Sequence, residues 1–311
     1  MVHLRLIVPP HLAVPVFDHL RSAPGVAHVV HVPGCSTVPP GELLLCDVAR
    51  EAANDVVEWL QRQGVHHCGA ITIEAVEGVV SDAAQRADAD APGQGSDALI
   101  WEELEARARD DSTLTASFLV FIAIAAIIAG IGILLDAPIL IVGAMVVGPE
   151  YGPVSALCVA AVRQRTEPAA RAARTLASGL WVSALASFVA TLLFRAGGLA
   201  PDRYDLSDRE LTAFISHPDG MAAVVAVLAG VVGMLSLTEA KSGALIGVLV
   251  SVTTIPAVAN IGVATAYAEW GEVGPAALQL SINIGGLLLA GIATLALQAH
   301  MTSSTAASGL R

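Results

Sequence analysis

One carboxylate stands where a carboxylate is costly. In VGAMVVGPEYGPV, Val142 to Val154, Glu150 is the only charge in the apolar run 138–162. At the centre of a bilayer a charged side chain costs about 2.5–3.5 kcal/mol on insertion scales, so such residues mark proton relays and ion paths. No lysine or arginine lies near the middle of any apolar run of this chain, so no salt bridge is available at that depth. Three chemistries remain: a neutral acid that donates a hydrogen bond, a cation ligand, or a carboxylate facing water in a pore. Oxygen-bearing company is expected from Tyr151, Thr253, Thr254, Asn260, Gln279 and Asn283. Gln279 and Asn283 are four apart and share one helix face.

The glutamate is framed by helix breakers. Pro149 and Pro153 lack amide protons and clash with the preceding turn, while Gly148 and Gly152 permit unusual backbone angles. Together they should interrupt the helix, and unwound backbone at membrane depth survives only inside protein or beside a water-filled cavity. SVTTIP, ending at Pro256, is a second interruption in a later apolar run.

Other reactive residue types are weaker signals. His28, His31 and Cys35 (HVVHVPGC) and His66, His67 and Cys68 (VHHC) carry imidazole and thiol groups suited to transition metals. The strands that bear them fall on opposite edges of the expected sheet, about three spacings of ~4.8 Å apart, so one subunit is not expected to ligate a metal with both. VPGCSTVPPGE lacks the GxxxxGK[ST] phosphate loop, and no HExxH or GxSxG occurs. Cys158 reads as a packing residue. Neither an enzyme nor a cofactor is implied.

The elements that would position these groups form two parts. With 55% hydrophobic and only 14% charged residues, the 311-residue chain falls well below the ~25% charge of soluble domains, and its mean hydropathy is +0.68. The net charge of −12 excludes a nucleic-acid partner. Four cysteines without CxxC spacing give no disulfide framework, and Pro9, Pro10 and His11 interrupt anything like a signal peptide. Residues 1–77 read as βαββαβ, the split pattern of an α+β ferredoxin-like domain. Residues 78–97 read as a polar linker, and 98–114 as a juxtamembrane helix, capped by Ser96 or Asp97, with Leu99, Ile100, Leu104 and Ala108 on one face.

Residues 115–300 read as an α-helical polytopic membrane domain of six transmembrane helices, near 117–135, 138–162, 175–194, 221–238, 243–268 and 275–299, followed by a tail, 301–311. With the N-terminus inside, Arg107, Arg109, Arg163, Arg165, Arg171, Arg174, Lys241 and Arg311 lie on the inner side, and only Arg195, Arg203 and Arg209 outside. Both termini are therefore expected in the cytoplasm and the chain in the cell (inner) membrane. A shift of 103 residues aligns Pro153 with Pro256, Gly130 with Gly233 and Asp136 with Glu239, and sets Glu150 against Thr253. Three spans per unit would make this a 3+3 inverted repeat with broken helices 2 and 5, the arrangement that places a transporter's site at the midplane. Small-residue runs such as IAIAAIIAGIG allow close helix contact, within a subunit or in a homo-oligomer.

VGAMVVGPEYGPV, LTEAKSGALIGVLVSVTTIPAVANIGVA and LQLSINIGGLLLAGIATLAL together resemble the bacterial membrane family called domain of unknown function 389 over roughly residues 115–298. The resemblance implies the six-span core and a variable soluble part before it, and supplies no substrate. It also implies an apolar residue in most members at the position of Glu150, making this carboxylate a specialisation. The expectation is a transport protein, channel or secondary transporter, for a small cation or a proton-coupled solute, with a cytoplasmic regulatory domain. The alternative is a non-transporting sensor or scaffold in the lipid bilayer whose soluble domain binds a ligand or partner.

Overall fold

The computed structural model describes residues 1–76, 78–91, 99–201, 203–204, 220–238 and 254–308. The chain divides into two compact units, Met1–Glu103 with Gln298–Arg311, and Leu104–Leu297.

In the first unit, β1 (Val2–Val8), β2 (Val26–Thr37), β3 (Pro40–Val48) and β4 (Ala70–Ala75) form an antiparallel sheet in the order β2-β3-β1-β4. That is the order of a split βαβ unit: β1 and β2 run the same way with β3 between them. Alternation explains the sheet's sidedness. Val2, Leu4, Leu6 and Val8 are fully buried, and across β3 Leu44, Cys46 and Val48 join them. Helix α1 (Pro10–Ser22) covers this face with Ala13, Val16 and Leu20, and α2 (Arg50–Arg62) with Ala52, Ala53, Val56, Val57 and Leu60. A short turn of helix, α3 (Val65–Cys68), precedes β4.

Two details depart from expectation. The stretch holding Cys35 is strand, because β2 continues to Thr37 and turns directly into β3. The polar linker contains a helix, α4 (Asp82–Asp90), whose Ser81 cap accepts the amides of Ala83 and Ala84. Its Ala84 and Ala87, with Ala91, are buried. Three small side chains on one stripe are enough to seat a helix that hydropathy reads as linker.

Helix α5 (Trp101–Asp111) follows; Leu99, Ile100, Leu104 and Ala108 are all buried, and the proposed caps Ser96 and Asp97 lie outside the described residues. The second unit continues with α6 (Ala116–Leu134), α7 (Pro138–Val147), α8 (Tyr151–Val162), α9 (Thr166–Ala196), α10 (Gly220–Thr238), α11 (Thr254–Ala266) and α12 (Trp270–Ser308). Four of these, α6, α9, α10 and α12, are long and apolar enough to cross a membrane, and the bent pair α7–α8 would make a fifth. Of the expected span 243–268 only the second half, α11, is described. Helix α9 starts nine residues before the expected span at 175, taking Arg171 and Arg174 into its first turns.

Small residues make up much of the buried surface of these helices, and many large apolar ones stand outward. Ala125, Ala126, Ala129 and Gly130 of α6 are buried, whereas Val120, Phe121 and Ile124 are exposed. Likewise α9 buries Gly179, Ser183 and Ser187 and exposes Trp181, Leu185 and Leu193. Close approach at small residues is how helices associate where the surroundings are as apolar as leucine.

Two helix ends of this unit share a local pattern. Helix α8 ends with Gln164 at φ 53°, the amide of Arg165 bonding Ala160 O and that of Gln164 bonding Ala161 O. Helix α11 ends with Ala268 at φ 60°, the amide of Glu269 bonding Ala264 O and that of Ala268 bonding Thr265 O. This is the same left-handed helix stop, and every member is displaced by 104 residues. The next helices, α9 and α12, open at residues 166 and 270, again 104 apart.

Candidate functional site

The break expected around Glu150 is present. Helix α7 closes on Gly148, whose amide bonds Ala144 O at 3.0 Å and whose ψ of 128° is extended, as a residue preceding proline must be. Pro149 follows, Glu150 caps α8, and the two helix axes differ by 52°. Pro153 is the third residue of α8, where a missing amide proton costs no intrahelical bond. The first proline thus stops one helix and the second is tolerated at the start of the next.

The glycines make room. A Cβ on Gly148 would collide with Glu150 Oε2 and stand 2.8 Å from Ile255 Cγ1. A Cβ on Gly152 would collide with the backbone oxygen of Asp111, so the end of α5 rests directly on the first turn of α8.

Glu150 is 4% exposed. Its Oε1 accepts a hydrogen bond of 2.9 Å from Thr254 Oγ1, and its Oε2 has no partner among the described residues. No cationic side chain among those residues pairs with it. Fully buried Ile255 packs beside it, next to Pro256, which is also buried. The arrangement is a dry carboxylate with one oxygen tied to a hydroxyl and the other available to a proton, a cation or a donor on a solute.

The remaining polar residues gather into separate pairs. Tyr151 turns its hydroxyl against α10 at Gly233, where it is buried without a partner among the described residues. Asn260, six residues and so about 9 Å beyond Thr254 along α11, accepts the hydroxyl of Tyr204. Asn283 accepts from Gln279 Nε2 at 3.2 Å, leaving Gln279 Oε1 buried and unpaired among the described residues. Thr253 lies outside the described residues. Among the described residues, Thr254 alone of the expected oxygen-bearing groups is hydrogen-bonded to Glu150.

Sequence reasoning overlooked the partners at the far end of α11. Tyr204 and Tyr267 stack with ring centres 5.5 Å apart, and Arg195 lies 4.2 Å over the Tyr267 ring while its Nη1 donates to Ala266 O at 2.5 Å. Arginine and tyrosine flanking the ends of apolar runs, the composition of a membrane–water boundary, were the available signal. Ser187, which donates to Ala259 O at 2.8 Å, was hidden among small packing residues.

In the first unit the histidines and cysteines are dispersed. The His28 side chain is redirected by a bulge at Ala27–Val30, with φ 51°. Its Nδ1 bonds Asp47 Oδ2 at 2.6 Å and its Nε2 bonds Ser81 Oγ at 2.8 Å, while His3 Nδ1 bonds Asp47 Oδ1 at 2.8 Å. Partial burial pushes the Asp47 carboxyl up, but the two histidine hydrogen bonds outweigh it and hold it below the usual aspartate value. His31 bonds Glu42 at 2.5 Å, His66 and His67 stack on each other, and Cys35 and Cys68 are exposed. Among the described residues no three His, Cys, Asp or Glu side chains are grouped to hold a metal ion.

The family model described as Domain of unknown function (DUF389) matches residues 145–289. Over this stretch, a little under half of the chain, the protein is similar to that family. The match opens just before the α7–α8 break and includes Glu150, Thr254, Asn260, Gln279 and Asn283. The curated proteins and the solved structures compared with the chain gave no match. The chemistry of the site therefore has to be argued from its own residues.

Proposed function

We propose that this protein is a membrane transport protein, a channel or secondary transporter, that moves a small cation or a proton-coupled solute past Glu150. The observation that carries this reading is the buried carboxylate at the bent α7–α8 junction, whose Oε2 has neither a partner nor a cationic side chain against it among the described residues. A residue of that kind is retained at a cost to stability when it takes up and releases something.

Among the described residues left-handed stops of this kind stand at Asp136, Gln164, Gly198 and Ala268, and the 104-residue interval from the second to the fourth is the spacing an inverted repeat would have, since three spans per half would make the second half enter from the opposite face. The bond from Thr254 to Glu150 ties the α7–α8 break to the start of α11, the later interrupted run, and a repeat of this kind sets its site where two such breaks meet. The arginines at Arg163, Arg165, Arg171 and Arg174 favour that corner, and both termini, on the cytoplasmic side. The first unit then serves as a cytoplasmic regulatory domain.

The test is flux. The full chain is reconstituted in liposomes, and proton and monovalent-cation movement is compared between wild type and Glu150→Gln. Flux in the wild type that the substitution abolishes is the expected result. Flux that is unchanged in Glu150→Gln would remove the carboxylate from the path, and no flux in either protein would favour a sensor or scaffold.

A further inference from the structure

We propose that the cleft between α5 and the α8–α9 corner is a binding site for a phosphate-bearing anion. The cleft has a volume of about 50 Å³, several times the 10–15 Å³ that one water requires, which suits a single anionic headgroup. Arg109, Arg163, Arg165 and Arg171 line it, against one acidic residue, Glu105. Its floor is apolar, from Ala156, Val159 and Ala160 of α8.

Four arginines line this one cleft in a chain whose net charge is −12. Glu105 neutralises one of them: its Oε1 accepts from Arg163 Nε at 2.8 Å and lies 4.0 Å from Arg165 Nε. Among the described residues neither Arg109 nor Arg171 has a carboxylate partner, and Glu167, in the first turn of α9, is exposed and does not line the cleft. The first turn of α9, a 31-residue helix capped by Arg165, contributes Pro168 to the lining, so the positive end of that helix meets the same space. Planar guanidinium forks match phosphate oxygens two at a time. In effect Glu105 occupies part of an anion site from within the chain.

The fold does not demand these arginines. The corner between α11 and α12 has the same backbone stop 104 residues later, and there the positions of Arg163, Arg165 and Pro168 are held by Tyr267, Glu269 and Glu272. One corner is basic and its counterpart acidic and aromatic, on identical backbone geometry. The inference is independent of the transport reading, and its measurement needs no flux.

Two sources share this ligand chemistry, a soluble phosphate compound and an anionic phospholipid headgroup. The full-length protein in detergent is titrated with inorganic pyrophosphate, and the same protein in nanodiscs is tested for retention of phosphatidylglycerol over phosphatidylcholine. Saturable binding in the first arm identifies a soluble anion, and preference in the second identifies a lipid. In whichever arm responds, Arg109→Gln with Arg171→Gln should weaken binding by about tenfold or more, as expected for loss of charge-assisted hydrogen bonds. Glu105→Gln should strengthen it, a gain that a folding defect does not imitate. Arg174→Gln, on α9 but outside the lining, should leave it within about twofold, the scale of screened surface charge. No binding in either arm, or equal losses for Arg171→Gln and Arg174→Gln, would overturn the site.

Discussion

Thr254 Oγ1 donates to Glu150 Oε1 at 2.9 Å, and the two residues are 104 positions apart, the same interval that separates the helix stops at Gln164 and Ala268. One hydrogen bond therefore joins the start of α11 to the cap of α8. The single hydroxyl satisfies one carboxylate oxygen and leaves Oε2 without a partner among the described residues.

Removing the donor should be felt at once. Thr254→Val keeps the shape and deletes the hydroxyl, leaving both carboxylate oxygens buried without a donor from α11. A loss of about 1–3 kcal/mol is expected, the cost of an unsatisfied buried polar group, whereas Thr254→Ser should retain the bond. Thermal unfolding of the purified protein in detergent separates the two, and equal melting temperatures would show that the bond contributes nothing to the fold.

Gly152 should tolerate no side chain, because a Cβ there would collide with the backbone oxygen of Asp111. Gly152→Ala is expected to displace the end of α5 and cost about 1–3 kcal/mol, typical of overpacking. Gly143→Ala, with nothing within 4 Å of its added methyl, is expected to be neutral or mildly stabilising. Protease sensitivity near Asp111 should rise in the first variant alone.

What was legible in the sequence follows physical lines. Alternation in VHLRLIV exposed β1, and the Gly/Pro pairs around Glu150 exposed the break, because both are local properties. Helix α4 was not legible, since a three-alanine stripe has almost no hydropathy signal. The partners of Asn260 and Asn283 were not legible either; pairing by Tyr204 and Gln279 depends on tertiary packing rather than spacing. Matching Pro153 to Pro256 gives an offset of 103, whereas the helix stops at Gln164 and Ala268 are 104 apart, an interval set by backbone geometry that residue types do not reveal.

Acid should weaken the first unit through Asp47. Its carboxyl lies below the usual value because His28 and His3 hydrogen-bond to it against the opposing effect of burial. A group depressed in the folded state contributes stability above its unfolded value, about 3.9, and loses that contribution as pH falls towards the lower folded value. Asp47→Asn should therefore reduce stability at neutral pH and flatten the decline below about pH 4. Denaturation midpoints of the full-length protein at pH 3, 5 and 7 would reveal this; parallel curves for variant and wild type would exclude Asp47 as the source.

Thiol labelling tests both units in one experiment. Cys35 and Cys68 are exposed, whereas Cys46 and Cys158 are fully buried. Burial, reinforced by the neighbouring Asp47 charge, pushes the Cys46 thiol up to about 12, so almost no thiolate exists there at pH 7.5. Cys158 is enclosed where α8 meets α12: its Sγ is 3.8 Å from Leu288 O, and a Cβ on Gly291 would stand 2.8 Å from it. Maleimide at pH 7.5 should therefore modify two of the four cysteines in the folded protein and all four in denaturant. Mass spectrometry of the digested chain identifies which. Rapid modification of Cys158 in the folded protein would mean that α8 and α12 separate in solution.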